Sequence, residues 1–220
     1  MSYKNEIVKI IMSMSGRYSS YDVFSDWIKC TSLAIANSTT LFTGKLWQDR
    51  EKAYMDTISK YSRDEAQRFP ELFALLKLAL QEEMEDVLGW VYMAANMGNK
   101  TTGQFFTPFS VSYAMAQLTV PKDIIDPEKV YRFAEPSTGG GGMIIATAKV
   151  LQDRGINYRR CMDVVAQDLD WKAVYMSYLQ FSLLGIKAIV VQGDTLTEPY
   201  SRGYPPERVL YTPARKGMLI

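Results

Sequence analysis

The sequence contains no histidine and only two cysteines, Cys30 and Cys161, among its 220 residues. The missing histidine excludes Ser-His-Asp and Cys-His nucleophiles and histidine-ligated metal sites. Two isolated cysteines make neither a metal cage nor a disulfide framework, and they fit a reducing compartment. We therefore expect a protein without a bound metal.

An excess of one charge and long apolar segments are also lacking. The 25 Lys and Arg residues nearly balance the 24 Asp and Glu residues, so charge alone does not indicate nucleic-acid binding. No run of about 18 apolar residues predicts a membrane span, and the N-terminus lacks the features of a signal peptide. Apolar residues make up 47% of the chain, which is enough for a core. We expect a cytoplasmic protein of one large domain, or one domain with a helical appendage.

The first half of the chain has helical patterning. Its strongest pattern runs from Pro70 to Val91 and predicts one helix of about six turns, with Pro70 at the first position. Four acidic residues inside this pattern predict a solvent-exposed helix face: Glu82, Glu83, Glu85 and Asp86. A polar, glycine-containing segment at 96–103 predicts a boundary between a helical domain, 1–100, and a second domain, 101–220.

The second half alternates short strands with helices. Thr107 and Pro108 resemble an N-cap and a first helical position. Beyond them, strands are predicted at 129–134, 162–167, 188–191 and 208–211, and helices at 143–154 and from 171 to a stop at Gly185. Strands that alternate with helices of this length predict an α/β fold with a parallel sheet.

Four consecutive glycines, Gly139 to Gly142, follow the first predicted strand and precede a helix. This is the layout of a cofactor loop, where glycine lets the backbone approach a ligand closely. Ile144 stands where the dinucleotide fingerprint needs its third glycine, and the Gly-Lys-Ser/Thr ending of a phosphate loop is missing. The loop also begins with Glu135, which would repel a phosphate but pair with an ammonium group.

Two further carboxylates follow the next two strands, Asp168 after the second and Asp194 after the third. At the carboxyl edge of a parallel sheet, Asp168 could accept hydrogen bonds from ribose hydroxyls and Asp194 from an adenine amino group. An ammonium group, a ribose and an adenine together describe S-adenosylmethionine. The alternative, a tight turn with two strand-end caps, stays open at this level.

Four motifs occur in order along the chain: Gly103–Pro108, Glu135–Met143, Ala166–Asp168 and Gly193–Leu196. Together they resemble the N-6 adenine-specific DNA methyltransferases, specifically the methylation subunits of type I restriction-modification systems. The resemblance covers about residues 20–212. It implies an N-terminal helical domain followed by a partial Rossmann-like, S-adenosylmethionine-dependent methyltransferase domain with strand order 3-2-1-4.

The resemblance also implies roles for individual residues. Glu135 would bind the ammonium group of the cofactor, Asp168 the ribose and Asp194 the adenine amino edge, while Leu169 would pack on the adenine ring. The remaining implied cofactor-binding residues close over the methionine end or form the loop itself: Phe105, Phe106, Thr107, Pro136, Ser137, Gly139 and Gly141.

The catalytic segment departs from the family pattern. These enzymes end their fourth strand with Asn-Pro-Pro-aromatic, in which the Asn and a proline carbonyl accept hydrogens from the adenine amine and the aromatic ring stacks on the flipped base. Here Thr212 replaces the Asn, Ala214 replaces the second Pro and Arg215 replaces the aromatic residue. Thr212 and Pro213 are therefore the implied catalytic positions in a degenerate motif.

The implied function is methylation of adenine in DNA, with DNA and a partner subunit in a restriction-modification context. The family continues beyond the equivalent of residue 220 with three more strands and a target-recognition partner. We therefore expect a truncated remnant, a second polypeptide that completes the sheet, or a chain that stands alone. Two alternatives remain: a catalytically silent cofactor- or partner-binding subunit that mimics a methylation subunit, and a methyltransferase for a substrate other than DNA.

Overall fold

The structure is a computed structural model of the chain, and it describes residues 2–40, 43–95, 106–121, 126, 129–201 and 203–218. The predicted boundary segment and the first three residues of the Gly103–Pro108 motif, including Phe105, lie outside the described residues.

Helices form the first half of the chain, as predicted. They are α1 (Tyr3–Met14), α2 (Ser20–Ser38), α3 (Lys45–Ile58), α4 (Arg63–Glu82) and α5 (Val87–Ala94). Reciprocal side-chain and backbone hydrogen bonds, known as capping boxes, fix the starts of α2 and α4.

The prediction of one helix from Pro70 to Val91 is wrong. The helix α4 begins at Arg63 because Ser62 and Glu65 form its capping box, so Pro70 lies inside it. It ends at Glu82, where Glu83 has an extended backbone, and α5 begins anew at Val87 because Asp86 caps it. The apolar spacing continues across this break, which is why the pattern alone does not show it.

The second half of the chain alternates helices and strands, which confirms the predicted α/β fold. Its elements are α6 (Phe109–Thr119), β1 (Tyr131–Glu135), α7 (Gly142–Asp153), α8 (Tyr158–Cys161), β2 (Met162–Asp168), α9 (Trp171–Leu184), β3 (Ala188–Gln192) and β4 (Val209–Tyr211). Pro108 is the N-cap of α6 and not its first residue. Gly185 ends α9 in the left-handed conformation, as its position predicts.

The four strands form one sheet in the order β1-β2-β3-β4. The pairs β1/β2 and β2/β3 are parallel, whereas β4 pairs antiparallel with β3 and places Leu210 opposite Val190. The predicted order 3-2-1-4 is therefore wrong in the position of the fourth strand, because β4 lies beside β3 and not beside β1. The carboxyl ends of β1, β2 and β3 still meet at one edge.

The connection from β3 to β4 explains this placement. A parallel return needs a long crossover, usually a helix, but the described part of this connection forms turns and one 3₁₀ turn at Pro206–Arg208. Arg208 Nε donates to the carbonyl of Gln192 over 3.1 Å and so brings the chain back beside the end of β3. From the helical half, Arg50 donates to the carbonyl of Val209 over 3.2 Å.

The central helix α9 joins the two halves of the chain. It packs on α2, α4 and α5 as well as on the strands β2 and β3. One continuous apolar core therefore extends from Ile7 in α1 to Leu210 in β4. No helix within the described ranges is both long and apolar enough to span a membrane.

Candidate functional site

The glycine loop connects the end of β1 to the start of α7. Gly139 has a φ of 52° and Gly141 a φ of 95°, the left-handed region that other residues rarely adopt. A Cβ atom on Gly141 would lie 2.6 Å from the ring of Phe181 in α9, and one on Gly139 would lie 3.1 Å from the ring of Phe106. Both positions require glycine, for backbone conformation and for close packing.

Asp168, at the end of β2, fixes this loop. Its Oδ2 accepts a hydrogen bond from the backbone N–H of Gly139 over 2.9 Å, and its Oδ1 accepts from the N–H of Asp170 over 3.0 Å. A carboxylate has about four acceptor positions, so both oxygens can still accept from a ligand. The predicted ribose-binding residue thus lies directly against the predicted glycine loop.

A cavity of about 220 Å³ lies over the loop. It is lined by residues of the loop and of the helices around it: Asp86, Phe106, Thr107, Ser112, Ser137, Thr138, Gly139, Gly140, Gly142, Met143, Asp168 and Ala173. Five predicted cofactor-binding residues therefore meet at this cavity, namely Phe106, Thr107, Ser137, Gly139 and Asp168.

Glu135 is not among the residues that line the cavity. Its Oε1 accepts from the backbone N–H of Ser137 over 3.2 Å. Burial raises the pKa of Glu135, and the nearby charge of Asp168 raises it further. Glu135 therefore lies close to Asp168, at the base of the loop.

The residues predicted to bind the adenine lie at the end of β3 and just beyond β2. Asp194 Oδ1 accepts from the N–H of Leu196 over 2.9 Å, and this bond lowers the pKa of Asp194. Thr195 Oγ1 donates to the carbonyl of Pro136 over 2.7 Å and ties the loop after β3 to the glycine loop. Leu169 is 67% exposed, so its side chain is open to a ligand. These residues continue the site along the sheet edge, outside the enclosed cavity.

Asp86 was predicted to lie on an exposed helix face, and this prediction is wrong. The residue is only 5% exposed. Its Oδ1 accepts from the N–H of Gly89 and from Gln180 Nε2, both over 2.8 Å. Burial raises the pKa of Asp86. The sequence does carry a signal, because an Asp three residues before the Gly89 amide is the spacing of an N-cap bond.

Gln180, in α9, links Asp86 to the glycine loop. Its Nε2 also donates to the carbonyl of Gly140 over 2.7 Å, and its Oε1 accepts from the N–H of Leu88 over 3.1 Å. One side chain therefore holds α5, the loop and the carboxylate of Asp86 together.

The predicted catalytic residues lie elsewhere. Thr212 is 0% exposed, and its Oγ1 donates to the carbonyl of Ile186 and accepts from the N–H of Ala188. Because β4 runs antiparallel, Thr212 and Pro213 lie at the amino end of β3, across the sheet from the cavity. Arg215 likewise forms an ion pair with Asp163, near the start of β2. The structure does not bring these residues to the glycine loop.

Residues 83–211 match the model of a protein family described as N-6 DNA methylase. No curated protein sequence matches the chain.

Two solved structures align with parts of the chain. One, from Listeria monocytogenes, is assigned as a class I S-adenosylmethionine-dependent methyltransferase, with 12% identity, a TM-score of 0.49, and coverage of 88% of this chain and 54% of that one. The other is a type I restriction-modification methyltransferase subunit from Streptococcus thermophilus, with 16% identity, a TM-score of 0.43, and coverage of 74% of this chain and 35% of that one. The chain therefore spans about half the length of the first of these structures and about a third of the second.

Proposed function

This chain belongs to the N-6 DNA methylase family, and from that premise we propose that it binds S-adenosylmethionine at the carboxyl edge of β1, β2 and β3 and contributes this site to adenine methylation in DNA. The observation that carries the proposal is the contact between the two predicted motifs. Asp168, at the end of β2, accepts a hydrogen bond from the backbone N–H of Gly139, and both residues line one cavity.

The residues of the site fit this cofactor. The cavity of about 220 Å³ is smaller than the roughly 300–1,000 Å³ of pockets that enclose a whole ligand, so it would enclose only part of the molecule. The methionine part would lie in the cavity under Phe106 and Thr107. The ribose would lie at Asp168, and the adenine at Leu169 and Asp194 along the open edge.

When bound, S-adenosylmethionine supplies an electrophilic methyl group on its sulfonium. The chain itself would hold and orient the cofactor. Phe106 packs edge-on against Tyr92, with 5.2 Å between the ring centroids, and so keeps an aromatic cover over Gly139. Such positioning lowers the entropic part of the reaction barrier without a chemical role for the side chain.

Calorimetric titration with S-adenosylmethionine tests the binding site. We expect Asp168→Asn to weaken binding by about 1–3 kcal/mol, because an amide replaces a charged acceptor at the ribose and at Gly139. Asp49→Asn is the control, since Asp49 pairs with Lys45 on α3 and does not line the cavity. Absence of binding by the natural protein would refute the proposal.

Methylation itself would require base-binding groups that the described residues do not bring to the cavity. The side-chain hydroxyl of Thr212 already forms hydrogen bonds with the backbone of Ile186 and Ala188, so it is not available to an adenine amine. We propose that a partner polypeptide supplies the base-binding groups, in a restriction-modification context and in the cytoplasm.

The second candidate function, a catalytically silent cofactor-binding subunit, is favoured by the same burial of Thr212. Transfer of tritiated methyl groups to unmodified DNA separates the possibilities. We expect little or no transfer by the purified chain alone. Robust transfer would show that a partner is not needed and that the catalytic groups lie elsewhere in this chain.

A further inference from the structure

Three buried polar side chains face the cavity without having been predicted as site residues. Asp86 comes from the start of α5, Ser112 from α6 and Thr138 from the glycine loop, and all three line the cavity. Ser112 is 1% exposed and Thr138 is 6% exposed. Neither hydroxyl has a hydrogen-bond partner within the described part of the chain. Buried hydroxyls are nearly always bonded, so these two call for a partner that enters the cavity.

The carboxylate of Asp86 also has unused capacity. Both of its hydrogen bonds reach Oδ1, and Oδ2 accepts none from the residues that the structure describes. The nearest acidic neighbour, Glu85, is paired with Lys4, whereas no described lysine or arginine forms an ion pair with Asp86. A buried carboxylate without a cation is costly unless it takes up a proton or a ligand supplies the positive charge.

The glycine loop is shaped around these groups. A Cβ atom on Gly140 would lie 2.7 Å from both carboxylate oxygens of Asp86. One on Gly142 would lie 3.3 Å from Asp86 Oδ2 and 3.6 Å from Ser112 Oγ. Glycine at these two positions thus lets Asp86 and Ser112 come close to the first turn of α7.

A metal ion does not suit this cluster. No group of three or more acidic or cysteine side chains in the described ranges is arranged to hold a metal. Two hydroxyls and a carboxylate can instead serve a zwitterion, because hydroxyls donate to a carboxylate while Asp86 accepts from an ammonium group.

We infer that Asp86, Ser112 and Thr138 bind the amino-acid end of the cofactor. Asp86 accepts from the α-ammonium group, and the two hydroxyls donate to the α-carboxylate. The inference rests on the proposed function and deepens it, since it assigns the ammonium group to Asp86 from the helical half of the chain in place of Glu135, which lies outside the cavity.

Two probes separate the ends of the cofactor. S-adenosylhomocysteine carries the amino-acid end, whereas 5′-methylthioadenosine keeps the ribose and adenine but lacks it. We expect Asp86→Asn to weaken S-adenosylhomocysteine binding at least tenfold and to change 5′-methylthioadenosine binding less than twofold. Asn keeps the shape of the side chain, its Oδ1 acceptor and its ability to cap α5, so the fold is retained.

Three further variants sharpen the test. Ser112→Ala should weaken S-adenosylhomocysteine binding severalfold without lowering the melting temperature, because the hydroxyl has no partner within the protein. Asp168→Asn should weaken binding of both probes. Glu135→Gln should affect S-adenosylhomocysteine less than Asp86→Asn does.

The outcomes are distinct. If the natural protein binds neither probe, the proposed function fails and this inference fails with it. The inference alone is overturned if S-adenosylhomocysteine binds the natural protein and Asp86→Asn equally well, if that variant weakens both probes alike, or if Glu135→Gln has the larger effect.

Discussion

At the scale of single residues, Asp86 should make stability depend on pH. Burial raises the native pKa of this carboxyl above its value in the unfolded chain, which is about 4. The native state therefore binds more protons than the unfolded state once the pH exceeds that value. The free energy of unfolding then falls as the pH rises through the interval between the two pKa values.

We expect Asp86→Asn to remove this fall in the free energy of unfolding with rising pH. In urea denaturation, the variant should gain stability relative to the natural protein at pH 8, and the gain should shrink toward pH 4. Asp86→Ala is the control, since it loses the cap bond to Gly89 as well as the charge and should lose about 1 kcal/mol relative to Asp86→Asn at every pH. A natural protein that is more stable than Asp86→Asn at pH 8 would contradict this account.

Much of the candidate site at this scale could be predicted from the sequence. The glycine loop and the carboxylates Asp168 and Asp194 stand at strand ends, where the change from a strand to a turn is visible in the order of residues. Asp86 could not be assigned in this way, because its burial comes from α9 and the loop, which are distant in sequence. Within a run of acidic residues it has the same pattern as an exposed helix face.

At the scale of elements, the position of β4 decides what Thr212 does. Its hydroxyl satisfies the carbonyl of Ile186 and the amide of Ala188, so it fixes the antiparallel strand to the start of β3. We expect Thr212→Val, a change of similar shape, to lower the free energy of unfolding by about 1–3 kcal/mol, because it leaves buried backbone groups unpaired. Binding of S-adenosylmethionine should be unchanged.

Thr119→Val is the matched control for this substitution. The hydroxyl of Thr119 bonds to the carbonyl of Met115 on the exposed surface of α6, so its loss should cost less than about 0.5 kcal/mol. If Thr212→Val had normal stability but weakened cofactor binding, Thr212 would have a role in cofactor binding and not in holding β4.

The existence of the strands could be predicted more securely than their arrangement. Each strand in the second half has a local apolar pattern, whereas the place of β4 depends on contacts such as that of Arg50 with Val209, which join distant parts of the chain. The break between α4 and α5 was missed for a similar reason. The apolar spacing persists across it, and only the N-caps Ser62 and Asp86 mark where α4 and α5 begin.

At the scale of the whole molecule, Gln180 couples the helical half to the glycine loop. It is 0% exposed and bonds to Asp86, Leu88 and Gly140. We expect Gln180→Leu to lower the free energy of unfolding by about 2–3 kcal/mol and to weaken S-adenosylmethionine binding, since it leaves buried groups on both sides unpaired. Urea denaturation and calorimetry measure the two effects.

The exposed Gln152 on α7 provides the control, and Gln152→Leu should change neither quantity appreciably. Loss of stability in Gln180→Leu without any loss of binding would mean that the loop keeps its shape independently of α5.

The burial of α9 on nearly all sides has a consequence for how this protein denatures. The helix α9 packs on the helices of the first half and on the strands of the second. If either half came away from it, apolar surface of α9 would be exposed to water. Heating should therefore produce a single calorimetric peak, with equal calorimetric and van't Hoff enthalpies, and the amides of α9 should be the last to exchange with deuterium.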